Sequence, residues 1–201
     1  MTVLQRPQPM AAFSVYSLIV LAPPLAMSAG LLPFDLRFHA LVVASSFCMT
    51  QCVAAGYSLA DLGLAGYGSR RQWLCAAAVS LLLMALAFCE AKLVAVPRPP
   101  PDWRLFAPFY LLLSSPCQEI VCRAMPRVIA TQLGASRSAY VLFSSAAFSL
   151  MHVAYGDPLL LINTFFAGVA WSIDYLLTRN LWPLIVSHAA VGTFAFWIGA
   201  A

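Results

Sequence analysis

Charge is scarce in this chain: only 9% of its 201 residues are Asp, Glu, Lys or Arg, where soluble domains carry about 25%. With 62% hydrophobic residues and a mean hydropathy of +0.85, that scarcity excludes a water-soluble enzyme. A globule of this length cannot hide so much apolar surface. Disordered segments, coiled coils and nucleic-acid binders all need charge or polar periodicity, so they are excluded as well. Cys-x-x-Cys pairs are also missing. Cys48, Cys52, Cys75, Cys89, Cys117 and Cys122 fall inside apolar runs and read as small packing residues rather than a disulfide framework. No internal repeat, second domain or soluble appendage is visible, so residues 1–201 are expected to form a single membrane-embedded domain.

What is present is a series of long apolar runs, at about 11–32, 38–60, 72–91, 103–129, 138–154, 158–178 and 181–200. At about 20 residues per span, they predict an all-α, polytopic bundle of about seven transmembrane helices. The first run ends without a clean small-residue cleavage site and reads as a retained helix, not a signal peptide. Pro33 and Asp35 make the first turn, a Gly-rich basic segment from Asp61 to Arg71 the second. The linker from Lys92 to Asp102, with Pro97, Pro99, Pro100 and Pro101, admits no helix. Pro23 and Pro24 are expected to kink the first helix. Ser114 or Ser115 is expected to cap a short helix that starts at Pro116 and ends at Pro126. Arg6, Arg70, Arg71, Arg127, Arg137 and Arg179 against Arg37, Lys92, Arg98 and Arg104 favour a cytoplasmic N-terminus.

In a bilayer the informative residues are the expensive ones, since a charge at mid-depth costs about 2.5–3.5 kcal/mol even on lenient scales. Few qualify: Gln118, Glu119 and Arg123 in the fourth run, His152 in the fifth, Asn163 and Asp174 in the sixth, and His188 in the seventh. Glu119, Arg123 and Arg127 are spaced to share a helix face, and Glu119–Arg123 reads as an ion pair. Asp174 is expected near the membrane surface, and Asn163 to bond neighbouring backbone. Phe13, Trp73, Trp103, Trp171, Trp182 and Trp197 read as interfacial belts. A carboxylate and two imidazoles on three separate apolar helices form a set that stability alone has little reason to keep, and they are expected to converge on one interior cavity.

The spacing resembles a known family. Gln118-Glu119-Ile120-Val121-Cys122-Arg123 is similar to the EExxxR motif of the CPBP intramembrane proteases, which include CAAX prenyl endopeptidases and bacteriocin-processing Abi proteins. Phe148-Ser149-Leu150-Met151-His152 matches their FxxxH motif, and His188 to Gly192 resembles HxxxN or HxxxD. Leu62-Gly63-Leu64, Phe166-Ala167-Gly168 and the connection from Leu176 to Pro183 also look similar. The resemblance covers about 60–197. It implies an intramembrane endopeptidase that cleaves a membrane-tethered protein or peptide, in a multi-pass protein of the bacterial inner (plasma) membrane, with the bilayer as partner and no nucleic acid. It further implies catalysis by Glu119, His152 and His188, supported by Gln118, Arg123 and Gly192, with no cofactor.

Two positions depart from the pattern. Gln118 stands where the family has a glutamate that activates water, and Gly192 where it has an amide or carboxylate at the oxyanion. Glu119 then takes the role of general base, with His152 sharing the water and His188 polarising the carbonyl. Adjacent helix residues point about 100° apart, so Glu119 reaches the site only if Pro116 or Pro126 distorts its helix. A zinc set of Glu119, His152 and His188 is an alternative, although no HExxH is present. A pseudoprotease that binds a membrane partner without cleaving it, and a small transporter subunit, are the others.

Overall fold

Each apolar run becomes a helix, because a chain without water around it must pair its amides internally. The computed structural model describes residues 9–94 and 101–200. Arg6, Arg98, Pro97, Pro99 and Pro100 lie outside the described residues. The helices are α1 (Pro9–Ser28), α2 (Arg37–Ala54), α3 (Arg70–Val94), α4 (Trp103–Gln132), α5 (Arg137–Leu150), α6 (Pro158–Thr178) and α7 (Leu181–Trp197). Six are long and apolar enough to cross a bilayer, counting the short turns that extend α2 and α5, and α7 is a shorter apolar helix. The protein is an all-α polytopic bundle, as expected, with no strand among the described residues.

Helix starts follow local chemistry. Asp102, Ser136, Asp157 and Asn180 each accept a backbone N–H in the first turn of α4, α5, α6 and α7, which satisfies donors that no helical carbonyl can reach. Helix α1 runs on through Pro23 and Pro24.

The expected cap at Ser114 or Ser115 is corrected. Ser114 has helical dihedrals and makes no capping bond, and α4 is continuous. Instead the helix widens twice into single π turns, Tyr110–Ser114 and Ile120–Ala124. The Ser115 N–H reaches back five residues to the Tyr110 carbonyl, and the Met125 N–H to Ile120. Pro116 and Pro126 each come one residue later. Proline offers no N–H and its ring crowds the carbonyl four residues back; widening the turn just before it relieves that crowding.

The core gathers Cys48 and Cys52 of α2, Val121 and Cys122 of α4, Tyr140 of α5, and Leu181 and Leu184 of α7. All six cysteines are free thiols. Helices α5 and α6 approach until a Cβ on Gly168 would meet Ser145 Cα at 2.9 Å, the small-residue packing typical of membrane helices. The loop after α2 clasps the connection between α6 and α7. Leu181 N–H bonds the Gly63 carbonyl at 2.9 Å, Tyr175 Oη the Leu62 carbonyl at 3.0 Å, Trp182 Nε1 the Leu64 carbonyl at 3.1 Å and Asn180 Nδ2 the Gly66 carbonyl at 2.8 Å. Gly63 must be glycine here: its φ is +76° and a Cβ would lie 2.5 Å from the Arg179 carbonyl oxygen. This clasp fixes where α7, and with it His188, begins.

Candidate active site

The two π turns decide which way α4 presents its polar residues, because each inserts a residue into the helical register. Between them, Gln118 faces a cavity of about 800 Å³, while Glu119 does not line it. His152 and His188 share the cavity wall with Gln118. Glu119 stands behind His188, fully buried, and its Oε1 accepts a hydrogen bond from His188 Nδ1 at 2.7 Å. The other carboxylate oxygen faces Arg123 Nε at 3.5 Å.

Arg123 has no exposed surface. Its Nη1 donates to the Cys122 carbonyl at 3.2 Å and to Ser144 Oγ at 3.1 Å. Ser144 is held in turn by Ser172 Oγ at 2.7 Å. The guanidinium also lies 5.0 Å from the Phe148 ring centroid, a cation–π distance. The buried pair is therefore neutral overall, which lets two charges leave water together, although Glu119 Oε2, Arg123 Nε and Arg123 Nη2 have no hydrogen-bond partner among the described residues.

The imidazoles are fixed through Nδ1 and open at Nε2. His188 stacks on Trp171 with centroids 4.6 Å apart and planes 18° apart, and Phe148 meets it edge-on at 5.3 Å. The neighbouring Ser187 accepts from Trp171 Nε1 at 2.9 Å and from Ser80 Oγ at 2.7 Å. His152 lies just beyond the end of α5, with Nδ1 2.8 Å from the Phe148 carbonyl. A carbonyl only accepts, so Nδ1 carries the proton and Nε2 is left as a base. Phe148 touches His152 as its four-residue spacing predicts, with centroids 4.9 Å apart. Gln118 Nε2 donates to Ser114 Oγ at 2.8 Å, and Gln118 Oε1 is buried without a hydrogen-bond partner among the described residues.

The structure thus joins Glu119, Arg123 and His188 directly, and puts His152, Gln118 and Gly192 on the same cavity. It does not gather Glu119, His152 and His188 as one ligand set, and no group of three His, Cys, Asp or Glu side chains among the described residues is placed to hold a metal ion. Other expectations change. Trp171 is not an interfacial residue: it is 2% exposed and forms the platform under His188. Asp174 is buried at 3% exposure, with neither carboxylate oxygen bonded among the described residues. Asn163 donates to the Glu90 carboxylate of α3 at 2.8 Å rather than to backbone. Ser144, Ser172 and Tyr110 escaped the sequence because single hydroxyls in apolar runs carry no pattern.

Residues 100–194 match the family model described as Type II CAAX prenyl endopeptidase Rce1-like. No curated protein and no solved structure matches the chain. The matched stretch runs from the start of α4 into α7 and holds Gln118, Glu119, Arg123, His152, His188 and Gly192. That match falls on the helices that build the buried Glu119–His188 assembly, so over residues 100–194 this multi-pass membrane protein is similar to the Type II CAAX prenyl endopeptidase Rce1-like family.

Proposed function

We propose that the chain cleaves a peptide bond in a membrane-tethered protein or peptide, with water activated by His188. The observation that carries this reading is the 2.7 Å bond between buried Glu119 and a histidine whose other face lines the cavity. Glu119 orients the imidazole and stabilises the imidazolium that forms during the reaction, while Arg123 balances the carboxylate charge. His188 Nε2 takes a proton as the water oxygen bonds to the scissile carbonyl carbon. When the tetrahedral intermediate collapses, the C–N bond breaks and His188 returns that proton to the leaving nitrogen. His152 Nε2 and Gln118 Oε1 are acceptors that aim the water. The reading thus moves Glu119 from base in direct contact with water to the partner of the base.

The family supports a lipid- or helix-anchored substrate, and the cavity walls are apolar enough to admit one, with Ile19, Leu41, Leu83 and Phe106 among them. The bacterial inner membrane is expected on the resemblance alone. One observation favours the pseudoprotease as second reading: the cavity-facing position of α4 is an amide, Gln118, which cannot accept a proton. Membranes carrying the protein are incubated with candidate anchored precursors, and product termini are mapped by mass spectrometry. Wild type is expected to cleave; His188→Ala and Glu119→Gln are expected to lose about 10²–10⁴-fold at undiminished abundance for His188→Ala. Silence of wild type together with cleavage by Gln118→Glu establishes the pseudoprotease instead.

A further inference from the structure

Gly192 leaves the cavity wall without a side chain one turn after His188, yet that space is filled. A Cβ on Gly192 would lie 2.0 Å from Tyr110 Oη, 2.6 Å from Cζ and 2.7 Å from Cε1. The phenol of α4 therefore rests directly on the α7 backbone, and only glycine admits it. Tyr110 and Gly192 line the same cavity as Gln118, His152 and His188. The ring is held on several sides: stacked on Phe106 at 5.0 Å and 14°, and edge-on to Phe196 and to the His188 imidazole, each at 6.0 Å. Tyr110 also opens the first π turn, so its direction is set by the distortion that places Gln118 and Glu119.

Acyl transfer through a tetrahedral intermediate needs a preorganised donor at the new oxyanion. Backbone amides usually supply it, but within α4 and α7 they are spent on helical carbonyls. Trp171 Nε1 is committed to Ser187 and Gln118 Nε2 to Ser114. Ser115 Oγ has no hydrogen-bond partner among the described residues, so the phenolic proton is not spent on it and stays available to the cavity. A neutral O–H donor, fixed by aromatic contacts beside His188 on an apolar-walled cavity, is what a developing oxyanion requires.

We propose that Tyr110 is a catalytic residue whose O–H donates to the oxyanion, in the space a side chain on residue 192 would occupy. The proposal rests on the proteolytic reading above. The phenol keeps its proton throughout: the electron pair of the carbonyl moves to oxygen as water adds, returns as the C–N bond breaks, and the transferred proton travels through His188.

Tyr110→Phe retains the ring and removes only the hydroxyl. It is expected to lower kcat by about 10²–10³-fold with KM little changed. Gly192→Asn alone drives its Cβ into the phenol and is expected to be inactive. Tyr110→Ala combined with Gly192→Asn opens the space and supplies an amide donor, and is expected to cleave faster than Tyr110→Ala. A phosphinate peptide, which carries a fixed tetrahedral anion, gives a second measurement, with binding to Tyr110→Phe about tenfold weaker than to wild type. A wild type that cleaves or binds while Tyr110→Phe equals it overturns the role of Tyr110 and spares the proteolytic reading. A wild type that neither cleaves nor binds the phosphinate overturns both.

Discussion

Arg123 carries its charge with no exposed surface, and Glu119, one helical turn away, makes that tolerable. Removing the arginine leaves the buried carboxylate with its His188 bond but without the compensating charge, an imbalance that usually costs about 3–5 kcal/mol. Arg123→Ala should therefore lose abundance in the membrane as well as activity, which quantitative blotting beside the cleavage assay will show. His152→Ala leaves no such charge behind, so it should accumulate normally and lose activity alone. Asp174 presents the reverse case. Its carboxylate is buried on α6 without a hydrogen-bond partner among the described residues, so Asp174→Asn keeps the size of the side chain and takes away the charge that makes such a burial most costly. Thermal unfolding in detergent is expected to show that variant as stable as wild type or more so; a clear loss of stability means the carboxylate has a partner that matters.

Helix α4 shows how an element sets chemistry that no single residue contains. Pro116 and Pro126 impose the π turns, the turns rotate the residues beyond them, and the rotation sends Gln118 to the cavity and Glu119 to His188. The clasp between the Leu62–Gly66 loop and the start of α7 fixes the other half of the site, since His188 lies two turns beyond Leu181. Gly63→Ala forces a methyl to within 2.5 Å of the Arg179 carbonyl, at a φ that alanine rarely adopts. A cost of about 1–3 kcal/mol is expected for such overpacking and strain. It should appear as lowered thermal stability and faster proteolysis between α2 and α3, although residue 63 touches no catalytic group.

At the scale of the molecule, the exposed surface is largely hydrocarbon: Leu81, Leu82 and Leu86 of α3 are each more than half exposed, which only lipid makes favourable. The cavity within such a body has mostly apolar walls, where each hydrogen bond to a developing charge is worth more than in bulk water. The donor set also frames a test of metal dependence. Glu119 is occupied by His188 and Arg123, so cleavage is expected to survive exhaustive treatment of the membranes with a chelator. Loss of cleavage on chelation, restored by zinc, supports the alternative set of Glu119, His152 and His188 instead.

Seven apolar runs with scarce charge determined an all-helical membrane bundle, because bilayer thickness and amide pairing leave no other solution for such a chain. The motif spacings Gln118 to Arg123 and Phe148 to His152 marked the polar residues, since each must find a partner inside the protein. Three things waited on the tertiary structure. Trp171 became a platform for His188 because packing of α6 on α7, invisible to position within a run, turned it inward. Glu119 left the cavity because the π turns change the register of α4, and helical periodicity counted along the sequence assumes a register that does not change. Gly192 looked like a missing group until α4 laid the Tyr110 hydroxyl across it: residues 82 positions apart meet only when the chain is folded, and the space between them belongs to neither stretch of sequence.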